Sequence, residues 1–112
     1  MARSATTSDV FNAIAEPQRR LIIDLLVGGE QSVNDIAEAL GIRQPQASKH
    51  LKVLKEVGLV NVRDSGRQRL YSLSSEGLRP IYEWVTPFER IWSESYDRLD
   101  EILKELQQRK EK

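Results

Sequence analysis

The sequence predicts a mainly α-helical domain with one small β-hairpin, and three observations predict it. Apolar residues recur at helical spacing along most of the chain, as in Leu21-Ile-Ile-Asp-Leu-Leu26 and the last forty residues. Between them, residues 59–73 are rich in β-formers and centred on Asp64-Ser-Gly-Arg67. The third is the stretch Gly41-Ile-Arg-Gln-Pro-Gln-Ala-Ser-Lys-His-Leu-Lys-Val-Leu-Lys-Glu-Val-Gly58, with a proline in its opening turn and a glycine just past its end. Proline lacks the N–H that a helix start would orphan, and glycine tolerates the left-handed conformation after the last turn.

Taken in order, residues 1–7 form a polar tail. Ser8 or Thr7 caps a short helix over Asp9–Ala15, with Val10, Phe11 and Ile14 as its apolar residues. Pro17 opens a second helix that runs to Val27, with Leu21, Ile22, Leu25 and Leu26 as its apolar set, and ends at Gly28-Gly29. Ser32-Val-Asn-Asp35 resembles a capping box with aspartate in place of the usual Glu or Gln. It starts a third helix, Val33–Leu40, with Val33, Ile36, Ala37 and Leu40 inward. Gly41 then turns the chain into the fourth helix, and two short helices joined by a glycine-containing turn are the helix-turn-helix pattern.

On that fourth helix Ala47, Leu51 and Leu54 form an inward stripe flanked by Val53 and Val57, while Gln44, Ser48, Lys49, Lys52 and Lys55 occupy the opposite face. One face suits a core and the other a phosphate-lined groove. Strands Leu59–Arg63 and Gln68–Leu73 follow, with Gly66 supplying the positive φ of a tight turn. Arg63, Arg67 and Arg69 crowd this hairpin, which reads as a wing reaching the DNA backbone or minor groove. The element order is α-α-α-α-β-β-α-α, a winged helix-turn-helix within one domain spanning 1–112. Its parts are a DNA-binding core, 7–73, and C-terminal dimerisation helices, 74–108.

Ser74 or Ser75 caps the next helical segment through Ile81, Trp84 and Val85, and Pro87 breaks it. A last helix from Phe88 to about Gln108 carries Phe88, Ile91, Trp92, Tyr96, Leu99, Ile102, Leu103 and Leu106. A helix of about 20 residues spans roughly 30 Å, more than a domain this small can cover, so its surplus apolar stripe points to a second copy of the chain.

Bulk properties agree. The 112 residues are 39% hydrophobic and 30% charged, with no cysteine, so disulfides and thiolate metal sites are excluded. Neither a signal-peptide core nor an apolar run of about 18 residues is present, and a reducing cytoplasm is the expected location. Formal net charge is zero but unevenly spread: −3 over residues 1–42, +5 over 43–69 and −2 over 70–112. Positive charge concentrated on the fourth helix and hairpin is what duplex binding needs, because phosphate neutralisation supplies much of the affinity.

Gln44, Gln46, Ser48 and Lys49 are assigned to bases or adjacent phosphates, since glutamine pairs bidentately with adenine and Ser and Lys discriminate less. Gln46 lies near the edge of the buried stripe. Lys52, Arg63, Arg67 and Arg69 neutralise backbone. Arg43 stands at the helix start, where it cannot accept the N–H bond of a cap, and offers a phosphate contact instead. His50 falls on the apolar side of the helix, where a packed imidazole and a phosphate contact are equal readings.

With these residues in hand, the chain resembles the ArsR/SmtB family of bacterial winged-helix repressors from about Ser8 to Leu106. The most specific part is Leu40–Leu59, in which Gln-Pro, Ser and His-Leu stand at the spacings of the family's recognition helix. Asp64-Ser-Gly-Arg67 followed by Tyr71-Ser-Leu73 resembles its wing, and Arg63 and the segment before Pro17-Gln-Arg-Arg20 also resemble family positions. The resemblance implies repression, an imperfect palindrome near a promoter, and a homodimer formed through the first and last helices. Phe11, Ile14, Trp84, Phe88, Trp92, Tyr96, Leu99 and Leu103 are the interface residues it points to. His50 joins the DNA-contact set because the resemblance covers it.

The chain departs from the family's metal sensors. Ser32 and Asn34 stand where those proteins carry a Cys-x-Cys box, and His50 is the only histidine. Glu94, Asp97, Asp100 and Glu101 on the last helix could hold a hard cation in principle, but the expected reading is a charged, solvated helix face. The expectation is the metal-independent branch, with no metal and no cofactor; no residue identifies an effector, whether small molecule or protein. An apolar ligand beside Trp84, Phe88 and Trp92 is the lesser reading, and packed dimer core the greater. Expected partners are double-stranded DNA and a second copy, with no membrane. The rival function is a winged-helix protein–protein interaction module without specific DNA binding. An enzyme is not expected, because no phosphate-binding glycine loop and no nucleophile–base spacing is present.

Overall fold

The computed structural model describes residues 9–110, which divide into two compact units meeting at Ile81 and Tyr82. That boundary falls inside a helix, eight residues beyond the division at Leu73 that the sequence suggested.

The first unit opens with α1 (Val10–Ile14) and α2 (Pro17–Val27). Caps at Thr7 or Ser8 lie outside the described residues. Asp9, expected inside the helix, is itself the extended N-cap residue, its Oδ1 accepting from Asn12 N at 2.8 Å. Glu16 caps α2 by accepting from Gln18 N. From α2, Arg19 Nε donates to Ala13 O and Arg20 Nη1 to Ile14 O, both at 2.6 Å. Two cations thus satisfy carbonyls that the end of α1 leaves open.

The buried arc of α2 is Ile22, Ile23 and Leu26, with Leu25 half-buried, whereas Leu21 is 49% exposed. The apolar set named from the sequence therefore differs from the buried arc at one position, which takes Ile23 and leaves Leu21 out. Ile22, Leu26 and Ile23 fit within about 100° of the wheel, and Leu21 lies another 100° away.

A two-residue strand, β1 (Gln31–Ser32), leads into α3 (Val33–Leu40), whose N-cap Ser32 accepts from Asp35 N at 3.1 Å. After α3, Gly41 adopts φ +68°; its N–H donates to Glu38 O, and Ile42 N donates to Ala37 O. α4 (Gln44–Glu56) ends the same way at Gly58, φ +81°, with Leu59 N donating to Leu54 O at 2.8 Å. Both halves of the helix-turn-helix therefore stop on a left-handed glycine, which closes carbonyls that would otherwise be orphaned.

β2 (Val60–Ser65) and β3 (Gln68–Leu73) pair antiparallel, and β1 pairs with β3, so the sheet order is β1-β3-β2. The hairpin is tighter than expected. Ser65 pairs with Gln68, so Asp64 and Ser65 belong to the ladder and only Gly66-Arg67 turn the chain. Gly66 has φ +64°, the left-handed conformation that a two-residue loop with glycine first requires. β1 was not expected at all.

The core gathers Ala13, Ile22, Ile36, Ala47, Leu51, Leu54 and Leu59, all at 0% exposure, with Val60, Tyr71 and Leu73 closing it from the sheet. A 3-10 turn (Ser75–Leu78) follows, Ser74 N donating to Leu59 O. It leads to α5 (Arg79–Val85), whose Ile81 packs on the core.

The second unit contains the rest of α5, a 3-10 turn around Pro87 (Thr86–Phe88) and α6 (Glu89–Lys110). The break at Pro87 falls where expected, and α6 runs slightly past the expected end. None of its side chains is buried.

Candidate nucleic-acid interface

α4 presents its two faces as its spacing requires. Ala47, Leu51 and Leu54 are wholly buried, which fixes the rotation of the helix and turns Gln44, Ser48, Lys52 and Lys55 outward in one row. The helix start is held in an unusual way. Arg43 is extended (φ −77°, ψ 149°) and makes no side-chain cap, but Gln46 Oε1 reaches back to accept from Arg43 N at 3.3 Å. Pro45 in the first turn leaves no N–H to satisfy there.

Across from this row stands the hairpin. A groove of about 600 Å³ runs between them, walled by Gln44, Ser48, Lys52 and Lys55 on one side and Arg67, Gln68 and Arg69 on the other. Ser32, Val33, Asn34, Leu51 and Tyr71 form its floor, and no carboxylate lines it. Four cations facing a cleft without an acid create a positive potential suited to a polyanion. Asp64 approaches Arg69 Nε at 3.6 Å in an exposed pair of little weight.

A sequence profile described as bacterial regulatory protein, arsR family, matches residues 16–62, the span from the start of α2 into the hairpin. The transcriptional repressor SdpR of Bacillus subtilis is 38% identical over 81 residues, covering 72% of this chain and 90% of that protein. The chain belongs to the arsR family. Its fold is the family's winged helix-turn-helix, and its relatives are transcriptional regulators, not enzymes. A crystal structure of a possible transcriptional regulator for arsenical resistance superposes with a TM-score of 0.63 at 36% identity, over 86% of this chain and 94% of that one. The solution structure of a homodimeric winged helix-turn-helix DNA-binding domain from Mycobacterium bovis gives 0.61 at 31% identity, over 80% and 91%.

Within this ArsR-type fold the residues singled out from the sequence separate into groups. The groove brings together Gln44, Ser48, Lys52, Arg67 and Arg69. Arg43, Gln46 and Lys49 are exposed near the start of α4 but do not line it. Lys55 and Gln68 line the groove and were not among the assigned contacts; the row Gln44, Ser48, Lys52, Lys55 was the signal for the first.

Two of them, His50 and Arg63, are hydrogen-bonded through their side chains to side chains outside their own elements. His50 is half-buried and its Nε2 donates to Gln18 Oε1 on α2 at 2.9 Å. Burial, followed by the charges of Arg19 and Lys49 and against that of Glu16, holds its pKa below the ordinary histidine value. Arg63 makes a two-pronged pair with Glu30, Nε to Oε2 at 2.7 Å and Nη2 to Oε1 at 2.9 Å. This hydrogen bonding lowers the Glu30 pKa and raises that of Arg63.

On the second unit, Trp84, Phe88 and Trp92 form a ring ladder, 5.8 Å edge-to-face and then 6.4 Å stacked. Phe88, Trp92, Leu99 and Leu103 are 40–54% exposed, and Tyr96 and Trp84 more so. Ile91, Ile102 and Leu106 extend the same stripe. In the first unit Phe11 is 42% exposed, whereas Ile14 is half-buried against its own core.

The Ser32 hydroxyl is occupied in capping α3. Among the described residues no three His, Asp or Glu side chains converge to hold a metal, and no helix is long and apolar enough to cross a membrane.

Proposed function

We propose that this protein is a homodimeric, cytoplasmic transcriptional repressor that binds an imperfectly palindromic DNA operator and responds to no metal. The groove between α4 and the hairpin carries this reading. Its walls are cationic and amide-bearing, and α4 is turned so that Gln44 and Ser48 lead into a major groove. Glutamine supplies a donor and an acceptor for adenine, and Lys52, Lys55, Arg67 and Arg69 neutralise the adjoining backbone. The repressor SdpR and the homodimeric Mycobacterium bovis domain support repression and dimerisation by analogy.

The apolar stripe of α6 supports a second copy as its cover, with Trp92, Tyr96, Leu99 and Leu103 at its centre. A two-fold pair presents two recognition helices about 34 Å apart, one turn of duplex. Asn34 and Ser32 offer no ligand to a soft metal, which supports the metal-independent reading.

The test is selection from a pool of randomised duplexes, followed by sequencing of the bound fraction. Enrichment of a palindrome with half-site centres about one helical turn apart is expected. A folded protein that enriches no sequence overturns the reading in favour of a protein-interaction module.

A further inference from the structure

The Glu30–Arg63 pair joins parts of the sheet that are not neighbours. Glu30 directly precedes β1, Arg63 lies in β2, and β3 runs between those strands. The Arg69–Asp64 pair stays within the hairpin and the Arg79–Glu76 pair within one turn, whereas this one ties the hairpin to the segment leading into α3. Its fork geometry engages both carboxylate oxygens, which fixes direction as well as distance.

Register places Arg63 away from the groove. Arg63 does not line the groove; it is paired with Leu70, and alternation puts both on the face opposite Tyr71 and Arg69, which do, while Gln68, on the same face as Arg63, joins the lining from the last rung beside the tip. Leu70 is also where support from β1 stops, since β1 pairs only with Leu70 and Tyr71. Beyond it the hairpin projects for two more rungs, three residues or about 10 Å, to the Gly66-Arg67 tip. A tilt of about 10° at this root would carry Arg67 about 2 Å, more than a hydrogen bond tolerates.

We propose that Glu30 and Arg63 form a brace that holds the hairpin at its working distance from α4, which makes Arg63 a positioning residue rather than a phosphate ligand. The consequence for DNA rests on the function proposed above; the brace itself does not.

The experiment uses the full chain with Arg63→Ala, Glu30→Ala and the charge-exchanged double variant Glu30→Arg/Arg63→Glu. Affinity is measured across salt concentrations for a duplex of the enriched sequence, or of random sequence if none is enriched. Amide hydrogen exchange is followed over residues 60–73. Each single variant is expected to weaken binding about three- to fivefold, to leave the slope of log K against log salt unchanged, and to quicken exchange at the hairpin tip. The exchanged pair restores most of both. A slope shallower by about 0.9 in Arg63→Ala, with tighter binding in Glu30→Ala, overturns the brace and makes Arg63 a phosphate ligand. Unchanged exchange in both single variants overturns it as well. If the wild-type chain binds no duplex, the proposed function fails, and the exchange pattern alone decides the brace.

Discussion

Side chains on α4 divide according to what the helix rotation leaves them to touch. Lys52 stands in a groove that no carboxylate lines, so its charge faces phosphate. Lys52→Ala is expected to weaken binding evenly across sequences and to flatten the salt dependence by about 0.9, one phosphate equivalent, in a salt titration. Gln44→Ala is expected to relax base preference at one position in each half-site; repeating the duplex selection with the variant checks it. His50 bears on stability. Its pKa lies below 6.5 in the folded protein, so the unfolded chain takes up a proton more readily. The contribution is whole above the unfolded value and is lost as pH falls from there through the folded pKa. Urea melts between pH 7.5 and 5 are expected to show falling stability, and His50→Gln to flatten that part of the profile. The wheel had placed His50 on the apolar side, but no local pattern names Gln18, 32 residues away, as its partner. Arg63 was legible in part: alternation already sets it opposite Tyr71, whereas counting three hairpin arginines together hides the difference.

Elements were legible where their periodicity and ends are local. α3 and α4 follow from apolar spacing and glycine stops, and α6 from apolar spacing after Pro87. β1 does not, because Gln31 and Ser32 are not β-formers and their pairing with Tyr71 and Leu70 is decided by the distant hairpin. The buried arc of α2 was not legible from apolar residues alone, because the half-buried Arg19 shares it, its guanidinium bonded to the end of α1. A further element-scale constraint sits at Gly77. A Cβ there would collide with Gly58 O and stand 2.8 Å from Gly58 C and 3.1 Å from Leu59 Cα, all backbone. Gly77 thus allows the 3-10 turn to lie on the junction of α4 and β2, where Ser74 N donates to Leu59 O. Gly77→Ala is expected to cost about 1–3 kcal/mol of stability in chemical denaturation, since backbone cannot step aside as a flexible side chain would.

At the scale of the molecule, the two units differ in how they are stabilised. The first has a closed core of wholly buried side chains, and its fold follows from that core. The second has α6, 22 residues long with no buried residue and a stripe of Trp92, Tyr96, Leu99, Leu103 and Leu106 spaced by fours and threes. That alternation is the seam of paired helices, in which each apolar side chain needs a facing helix to bury it. On the function proposed above, a second copy supplies that helix and also doubles the DNA contact, which would couple assembly and affinity through α6. Leu99→Glu with Leu103→Glu places two carboxylates on the seam at a distance from α4 and the hairpin in sequence. The variant is expected to sediment as a single chain and to keep the core signature of the first unit. Its affinity for a palindromic duplex should fall about a hundredfold or more, because the second half-site no longer binds as part of one molecule. Binding to an isolated half-site, already weak, should change little. A variant that remains dimeric, or a monomer that binds the palindrome as tightly as the wild type, would separate dimerisation from this stripe or from operator affinity.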